Sequence, residues 1–203
     1  MFQQIWNNTY LLAGATFLAV CVIGWLAFSW RSIANMIGIY AAILKELNEP
    51  LHYPGTEGGF RVLYQSVDAD LLARAITWIV TQPACADNTF NVSNGDYFRW
   101  SSLWPMFADY FGMQLGTVKP MRLAQAMADK AAIWDRIVAQ HGLQPRPLAD
   151  AAVWPYADFN FARDYDVMSS TLKLRQTGFS ECIDTGDMMI EHLRRFRAQG
   201  SLP

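Results

Sequence analysis

The sequence predicts a mostly helical α/β fold, and three observations carry that prediction. Short apolar runs alternate with amphipathic helices that start at capping residues, as in α/β proteins. Hydrophobic residues make up 52% of the 203 residues and charged residues only 17%, below the usual share of about 25%, which excludes a disordered chain. No long polar linker interrupts residues 31–203, so we expect this region to be one folding unit.

Capping residues and apolar spacing define the helices. Apolar positions at helical spacing run over Ile33–Leu47, and Asp68 is placed to cap a second helix. Gly112 and Gly142 are placed to end two later helices. The later helices are expected over Ser101–Phe111, over Leu123–His141 and from Thr185 through Phe196. Short strands are expected at Leu51–Tyr53, Val62–Ser66, Phe90–Val92 and Gln114–Val118.

The first 30 residues form an apolar segment of different composition. No Asp, Glu, Lys, Arg or His occurs from Phe2 to Trp30, and Tyr10–Phe28 is long enough to cross a hydrocarbon core of about 30 Å as a helix. A strand and helix buried in a soluble core explain the same residues, because periodicity does not separate the two cases. A cleaved signal peptide is disfavoured, since no Lys or Arg precedes the run. We predict that Tyr10–Phe28 is helical.

Motifs that would carry catalysis or metal binding are absent from the sequence. It contains no P-loop, no HExxH and no GxGxxG pattern. The three histidines are isolated from one another, and the three cysteines lack metal-ligand spacing and are expected to be buried, reduced thiols. These residues are His52, His141 and His192, with Cys21, Cys85 and Cys182. The net charge of −2 provides no basic surface for nucleic acid, so no nucleic-acid partner is expected.

From about Ser29 onward, the order of segments resembles a known enzyme family. The matching segments are VLYQSVDADLLARAI (Val62–Ile76), TFNVSNGD (Thr89–Asp96), FRWSSLW (Phe98–Trp104), ADKAAIWDRIVAQHGL (Ala128–Leu143), RDYDVMSSTLKLRQTGF (Arg163–Phe179) and the final Leu202-Pro203. This order resembles the carboxyl-terminal part of extended short-chain dehydrogenases/reductases of the progesterone 5β-reductase and iridoid synthase type. The resemblance implies the substrate-side portion of a Rossmann-like fold.

The resemblance also implies an activity for the intact family. That activity is NADPH-dependent reduction of the carbon–carbon double bond in a small apolar α,β-unsaturated carbonyl substrate, in the cytoplasm. The family places its substrate beside the carboxyl-terminal part, and Trp154, Phe159 and Phe161 are the candidate substrate contacts here. Phe90–Val92 is expected to be a parallel strand buried on both faces.

This chain departs from the family at the cofactor-binding and catalytic motifs. The family's Gly-rich turn and its catalytic Tyr and Lys have no counterpart; no Tyr is followed by Lys four residues later, and Tyr40 and Lys45 miss that spacing by one. We therefore expect no catalytic residue and no NADPH binding in this chain alone. Residues 1–30 are explained either by a membrane tether at residues 10–28 or by out-of-frame sequence. Two rival functions stay open: a membrane-tethered binding module, and a subunit completed in trans by a nucleotide-binding chain.

Overall fold

The computed structural model describes residues 32–203, so the helix predicted at Tyr10–Phe28 lies outside the described residues. The described elements are mostly helices, with two short strands. In chain order they are α1 Ile33–Glu46, β1 Leu51–Tyr53, α2 Glu57–Arg61, α3 Ala69–Thr81, a 3-10 turn Pro83–Cys85, α4 Trp100–Phe111, β2 Leu115–Val118, α5 Leu123–Ala126, α6 Ala131–His141, α7 Leu148–Ala151, α8 Trp154–Phe161, α9 Leu172–Gln176 and α10 Thr185–Ala198. The predicted fold class, a mostly helical α/β arrangement, is confirmed.

Helix α1 is the centre of the fold. Ser32 caps its first turn by accepting a hydrogen bond from the Asn35 N–H at 3.2 Å. All residues of α1 from Ala34 to Leu44 are buried, and the helix packs against α6, α8, α10 and β1. A helix that is apolar on all sides belongs in the interior of a fold.

The two strands lie side by side and run parallel. Leu51 pairs with Leu115 and Tyr53 with Val118, with an irregular register between them. Two further main-chain hydrogen bonds, from Lys119 N–H to the Tyr53 carbonyl and from Met121 N–H to the Pro54 carbonyl, are both 2.9 Å long. These two bonds hold the loop after β1 beside the loop after β2. The strands predicted at Leu51–Tyr53 and Gln114–Val118 are therefore confirmed.

The other two predicted strands are wrong within the described residues. Val62–Ser66 makes a single antiparallel bridge, between Tyr64 and Phe98, instead of a ladder. Phe90–Val92 has no strand partner among residues 32–203, and it is not buried on both faces, because Asn91 is exposed while its two neighbours are partly buried. An apolar run fixes which side chains point inward, but it does not supply the strand with which to pair.

The helix predicted over Leu123–His141 is also wrong as one element. It is two helices, α5 and α6, separated by a turn at residues 127–130. Met127 and Trp134 are both buried, and they are seven residues apart. Seven residues are about two helical turns, so this spacing is the same as in a continuous helix and conceals the break.

Two hydrophobic clusters stabilise the fold. The larger one, here called the aromatic core, surrounds α1 and centres on Trp104, which lies 5.0 Å from the Tyr53 ring and 5.6 Å from the Phe161 ring, both edge to face. Trp104 also donates a hydrogen bond from Nε1 to the Leu51 carbonyl at 3.1 Å. The smaller one, here called the small cluster, has four buried members. These are Leu71, Ala75, Leu174 and Phe179.

A buried polar side chain, Asn94, holds the small cluster to the rest of the fold. Its Oδ1 accepts from the Asp68 N–H at 2.6 Å, and its Nδ2 donates to Thr185 Oγ1 at 3.0 Å. The Asp68 carboxylate in turn caps α3 and lies 3.2 Å from His192 Nε2 on α10. Asn94 is fully buried, so these bonds satisfy polar groups that have no access to water.

Two further expectations concern a membrane-spanning helix and the burial of the cysteines. Among residues 32–203, no helix combines the length and the apolar character needed to cross a membrane. Cys85 is buried as expected, but Cys182 is exposed, so the prediction of a buried thiol is wrong for Cys182. Cys21 lies outside the described residues.

Candidate functional site

An open cleft lies at the carboxyl ends of the two parallel strands. One wall is the loop that follows β1 at Pro54–Thr56, the second is the loop that follows β2 at Pro120–Arg122, and the third is the end of α8. The cleft has a volume of about 300 Å³. Ligands of open α/β sheets bind outside the carboxyl ends of the strands, so this is where a binding site is expected in such a fold.

A close approach of main chain to main chain shapes the cleft. A Cβ atom at Gly55 would collide with the carbonyl of Phe161, which only glycine avoids. The Tyr53 hydroxyl, directly before this loop, donates to the same carbonyl at 3.0 Å. The first loop is therefore fixed against the end of α8, and the cleft opens between them and the second loop.

The lining of the cleft is mostly apolar. Its apolar members are Pro54, Pro120, Met121, Phe161 and Ala162. Two polar members are committed to the fold: the Asp158 carboxylate accepts from the N–H groups of Leu123 and Ala124, and Thr56 Oγ1 accepts from the Gly59 N–H. Arg122 is exposed at the cleft and makes no ion pair with any of residues 32–203. The cleft suits a small apolar molecule with one polar end.

The three predicted substrate residues are not brought together by the structure. Phe161 lines the cleft, whereas Trp154 is buried in the aromatic core and does not line it. Phe159 is 61% exposed, and its ring covers the Arg163 guanidinium at 4.7 Å. Trp154 and Phe161 share a face of α8 and both belong to the aromatic core, but they lie about 10 Å apart along the helix, and only Phe161 stands at the end that borders the cleft. Phe159, five positions after Trp154, points about 140° away.

Sequence reasoning missed most of the cleft. Pro54, Pro120, Met121 and Arg122 were not candidates, because no motif marks them. A positional signal was present, since both loops come directly after predicted strands, and the carboxyl ends of parallel strands meet at one edge of a sheet.

The buried tyrosines of the described region serve the fold. The hydroxyls of Tyr40 and Tyr53 each donate to a main-chain carbonyl, and the Tyr64 hydroxyl lies 2.8 Å from the Arg163 carbonyl. Burial raises the pKa of all three phenols above the ordinary value. Lys45 Nζ donates to the Phe111 carbonyl at 2.6 Å, so Tyr40 and Lys45 each bond to separate carbonyls. These groups are poor candidates for proton transfer to a ligand.

Four helix N-termini among the described residues are closed to a pyrophosphate. Dinucleotides bind where a Gly-rich turn presents free N–H groups at a helix N-terminus. Here the first turns of α1, α2, α3 and α10 are capped by side chains of their own N-cap residues, and two of those caps are carboxylates, Asp68 and Asp184. No cluster of His, Cys, Asp or Glu that could hold a metal ion occurs within residues 32–203. The candidate site within residues 32–203 is the apolar cleft.

Comparison with known proteins identifies the family. The fold and the cleft define an α/β, Rossmann-like protein, and the family model described as a PRISE-like Rossmann-fold domain matches residues 19–203. The chain belongs to this family, which confirms the resemblance seen in the sequence.

Three curated relatives extend the comparison. An (S)-8-oxocitronellyl enol synthase from Antirrhinum majus is 34% identical over 179 residues, covering 87% of this chain and 46% of that protein. Enzymes of the same name from Camptotheca acuminata and Nepeta racemosa are 31% and 33% identical, over 90% and 87% of this chain and 47% and 46% of their own lengths. The chain spans about half the length of the curated relatives it matches.

Proposed function

We propose that this chain is the substrate-side portion of an NAD(P)H-dependent reductase of α,β-unsaturated carbonyl compounds. The observation that carries the proposal is the apolar cleft at the carboxyl ends of β1 and β2 in a chain of the PRISE-like family. Relatives at about one-third identity are named as synthases of an (S)-8-oxocitronellyl enol, so a small apolar carbonyl compound is the ligand class we assign.

In this proposal the residues of the chain bind and orient the substrate and exclude water. Phe161, Met121 and the two prolines pack against the carbon skeleton, and Arg122 at the cleft attracts the carbonyl oxygen. Phe159 and Trp154 contribute indirectly. Trp154 supports α8 from the core, and Phe159 keeps Arg163 stacked on the surface.

The nucleotide and the proton-transferring groups belong to a separate part of the enzyme. Four helix N-termini of residues 32–203 are occupied by their own capping side chains, and the buried tyrosines bond to main-chain carbonyls, which argues against NADPH binding or enolate stabilisation by these groups. We therefore propose that the chain is inactive alone and becomes active when a nucleotide-binding portion completes it. We also propose a cytoplasmic location, as the family resemblance implies, with the apolar stretch at residues 10–28 as a tether if it meets a membrane.

Ligand-detected NMR with citral, a small apolar α,β-unsaturated aldehyde, tests the binding half of this proposal. We expect saturation transfer from the protein to citral, and we expect it to fall at least about tenfold in Met121→Trp, because the larger side chain fills the cleft. Met168→Trp is the matched control, since Met168 is exposed and does not line the cleft. Equal transfer in the two variants would contradict a substrate role for the cleft.

A further inference from the structure

Arg122, which lines the cleft, differs from the other arginines of residues 32–203. Each of those makes an interaction, in most cases with a carboxylate, a main-chain carbonyl or an aromatic ring. The Arg122 guanidinium makes no ion pair, hydrogen bond or ring contact with any of residues 32–203. Exposed arginines are commonly solvated by water, so the surroundings of Arg122 decide whether it has a role.

The main chain on both sides of Arg122 is fixed by long-range hydrogen bonds. On its amino side, the Met121 N–H donates to the Pro54 carbonyl at 2.9 Å. On its carboxyl side, the N–H groups of the next two residues donate to the Asp158 carboxylate at 2.5 and 3.1 Å. The guanidinium therefore extends from a fixed point at the cleft, which lowers the entropic cost of ordering it against a ligand.

The polar side chains of the cleft offer hydrogen-bond donors. Both oxygens of Asp158 already accept from main-chain N–H groups, so this carboxylate is committed to the fold. Thr56 Oγ1 accepts from the Gly59 N–H at 2.9 Å, and its own hydroxyl hydrogen makes no bond within residues 32–203. A guanidinium has donors only, and a carboxylate has acceptors only. Arg122 and Thr56 together therefore suit a carboxylate better than a neutral carbonyl, which presents a single oxygen.

We infer that Arg122 makes the cleft selective for an apolar α,β-unsaturated carbonyl compound that carries a carboxylate at the end remote from the reacting carbonyl. The inference rests on the proposed function and specifies the oxygen that Arg122 attracts there, which belongs to this carboxylate. The guanidinium holds the carboxylate through two parallel N–H donors, and the apolar walls hold the hydrocarbon body. Arg122 thus determines specificity and takes no part in the transfer of hydride or proton.

The charge at the cleft favours a carboxylate over a phosphate ester. Among the described residues that line the cleft, Arg122 is the one cation. Lys119, which also follows β2, is already paired with Glu49 at 3.7 Å. One positive charge balances a carboxylate, whereas a phosphate ester carries a charge of about −2 and would need a second cation. The planar guanidinium also matches the two oxygens of a carboxylate.

Ligand-detected NMR with a matched pair of compounds tests the inference. The probe is citral with a carboxylate in place of one methyl group at the end remote from the aldehyde, and its methyl ester is the neutral control. We expect the acid to bind about fivefold more tightly than the ester, because a charge-assisted pair at the cleft is stronger than a neutral hydrogen bond. An acid that binds no more tightly than its ester overturns the inference.

Substitution of Arg122 assigns the preference to this residue. Arg122→Gln should bring the affinities for the acid and the ester within about twofold of each other, and it should leave the affinity for the ester nearly unchanged. Arg194→Gln is the matched control, because it removes the same charge from an exposed arginine that does not line the cleft. A preference for the acid that survives Arg122→Gln, or that is lost equally in Arg194→Gln, contradicts the inference.

Met121→Trp separates this inference from the proposed function. If the ester and citral bind to the parent protein and lose affinity in Met121→Trp, but the acid binds no more tightly than the ester, the cleft stays the substrate site and only the role of Arg122 is refuted. If Met121→Trp changes the binding of none of the three compounds, the proposed function itself fails.

Discussion

The aromatic core and the small cluster differ in how completely the described residues enclose them. In the aromatic core, Trp104 is fully buried, its indole N–H is satisfied by the Leu51 carbonyl, and aromatic rings surround it. In the small cluster, partly buried residues outnumber buried ones, and the adjacent segment Thr89–Ser93 lacks main-chain partners among residues 32–203. Within residues 32–203, the aromatic core is therefore enclosed, whereas the small cluster is enclosed only in part.

The two clusters also differ in what fixes them. Apolar and aromatic packing positions the cleft, because Tyr53 and Phe161 belong to the aromatic core and lead directly into the cleft walls. The small cluster depends on a buried polar residue, Asn94, which joins the start of α3 to the start of α10. Buried polar groups of this kind fix a specific arrangement. Removing one partner lowers the free energy of unfolding strongly, because the other partner stays buried without a hydrogen bond.

The largest expected effect is the loss of Trp104. Trp104→Ala should lower the free energy of unfolding by about 3–5 kcal/mol, because it leaves a cavity in an enclosed core. Urea denaturation monitored by circular dichroism measures it. Trp78→Ala is the control on the small cluster, where the indole is partly exposed, and its loss should be smaller. Equal losses would mean that the two clusters are equally enclosed.

An intermediate effect is expected at Asn94. Asn94→Leu removes the acceptor of the Asp68 N–H and the donor to Thr185, and unsatisfied buried groups of this kind should cost about 2–3 kcal/mol in unfolding free energy. Asn88→Ala, an exposed position on the same segment, should change it by less than about 0.5 kcal/mol. A neutral Asn94→Leu would show that apolar packing alone holds the small cluster.

The smallest expected effect is at the end of α4. Gly112 has a φ of 60° and ends the helix in the left-handed conformation, with open space around it. Gly112→Ala should cost about 1 kcal/mol in unfolding free energy from backbone strain alone. Gly112→Asn tolerates this conformation better and should retain more of the stability. If both variants melt like the parent protein, strain does not contribute at this position.

Local signals in the sequence predicted much of the fold. Ser32, Asp68 and Asp184 cap helices that spacing and residue type had indicated, and Gly112 and Gly142 end helices with positive φ. The errors arose where the outcome depends on distant partners. Phe90–Val92 has a strand pattern without a neighbour in the described residues, and the break at residues 127–130 leaves the apolar spacing intact.

The site was less predictable than the fold. Of the three predicted substrate residues only Phe161 lines the cleft, because an aromatic residue type reveals neither the face of α8 that it occupies nor the end of the helix that borders the cleft. The loop residues Pro120–Arg122 carry no motif, and their position at the cleft follows from the parallel pairing of β1 with β2, which brings together residues far apart in the chain.

The most direct test of the account is NADPH oxidation with citral, followed by absorbance, for the chain alone, for the amino-terminal half of the Antirrhinum majus relative alone, and for the two together. We predict turnover only by the mixture, because the chain supplies the cleft and the other half supplies the nucleotide site. Turnover by the chain alone would contradict the account, since it would show that this chain carries both the cofactor site and the catalytic groups.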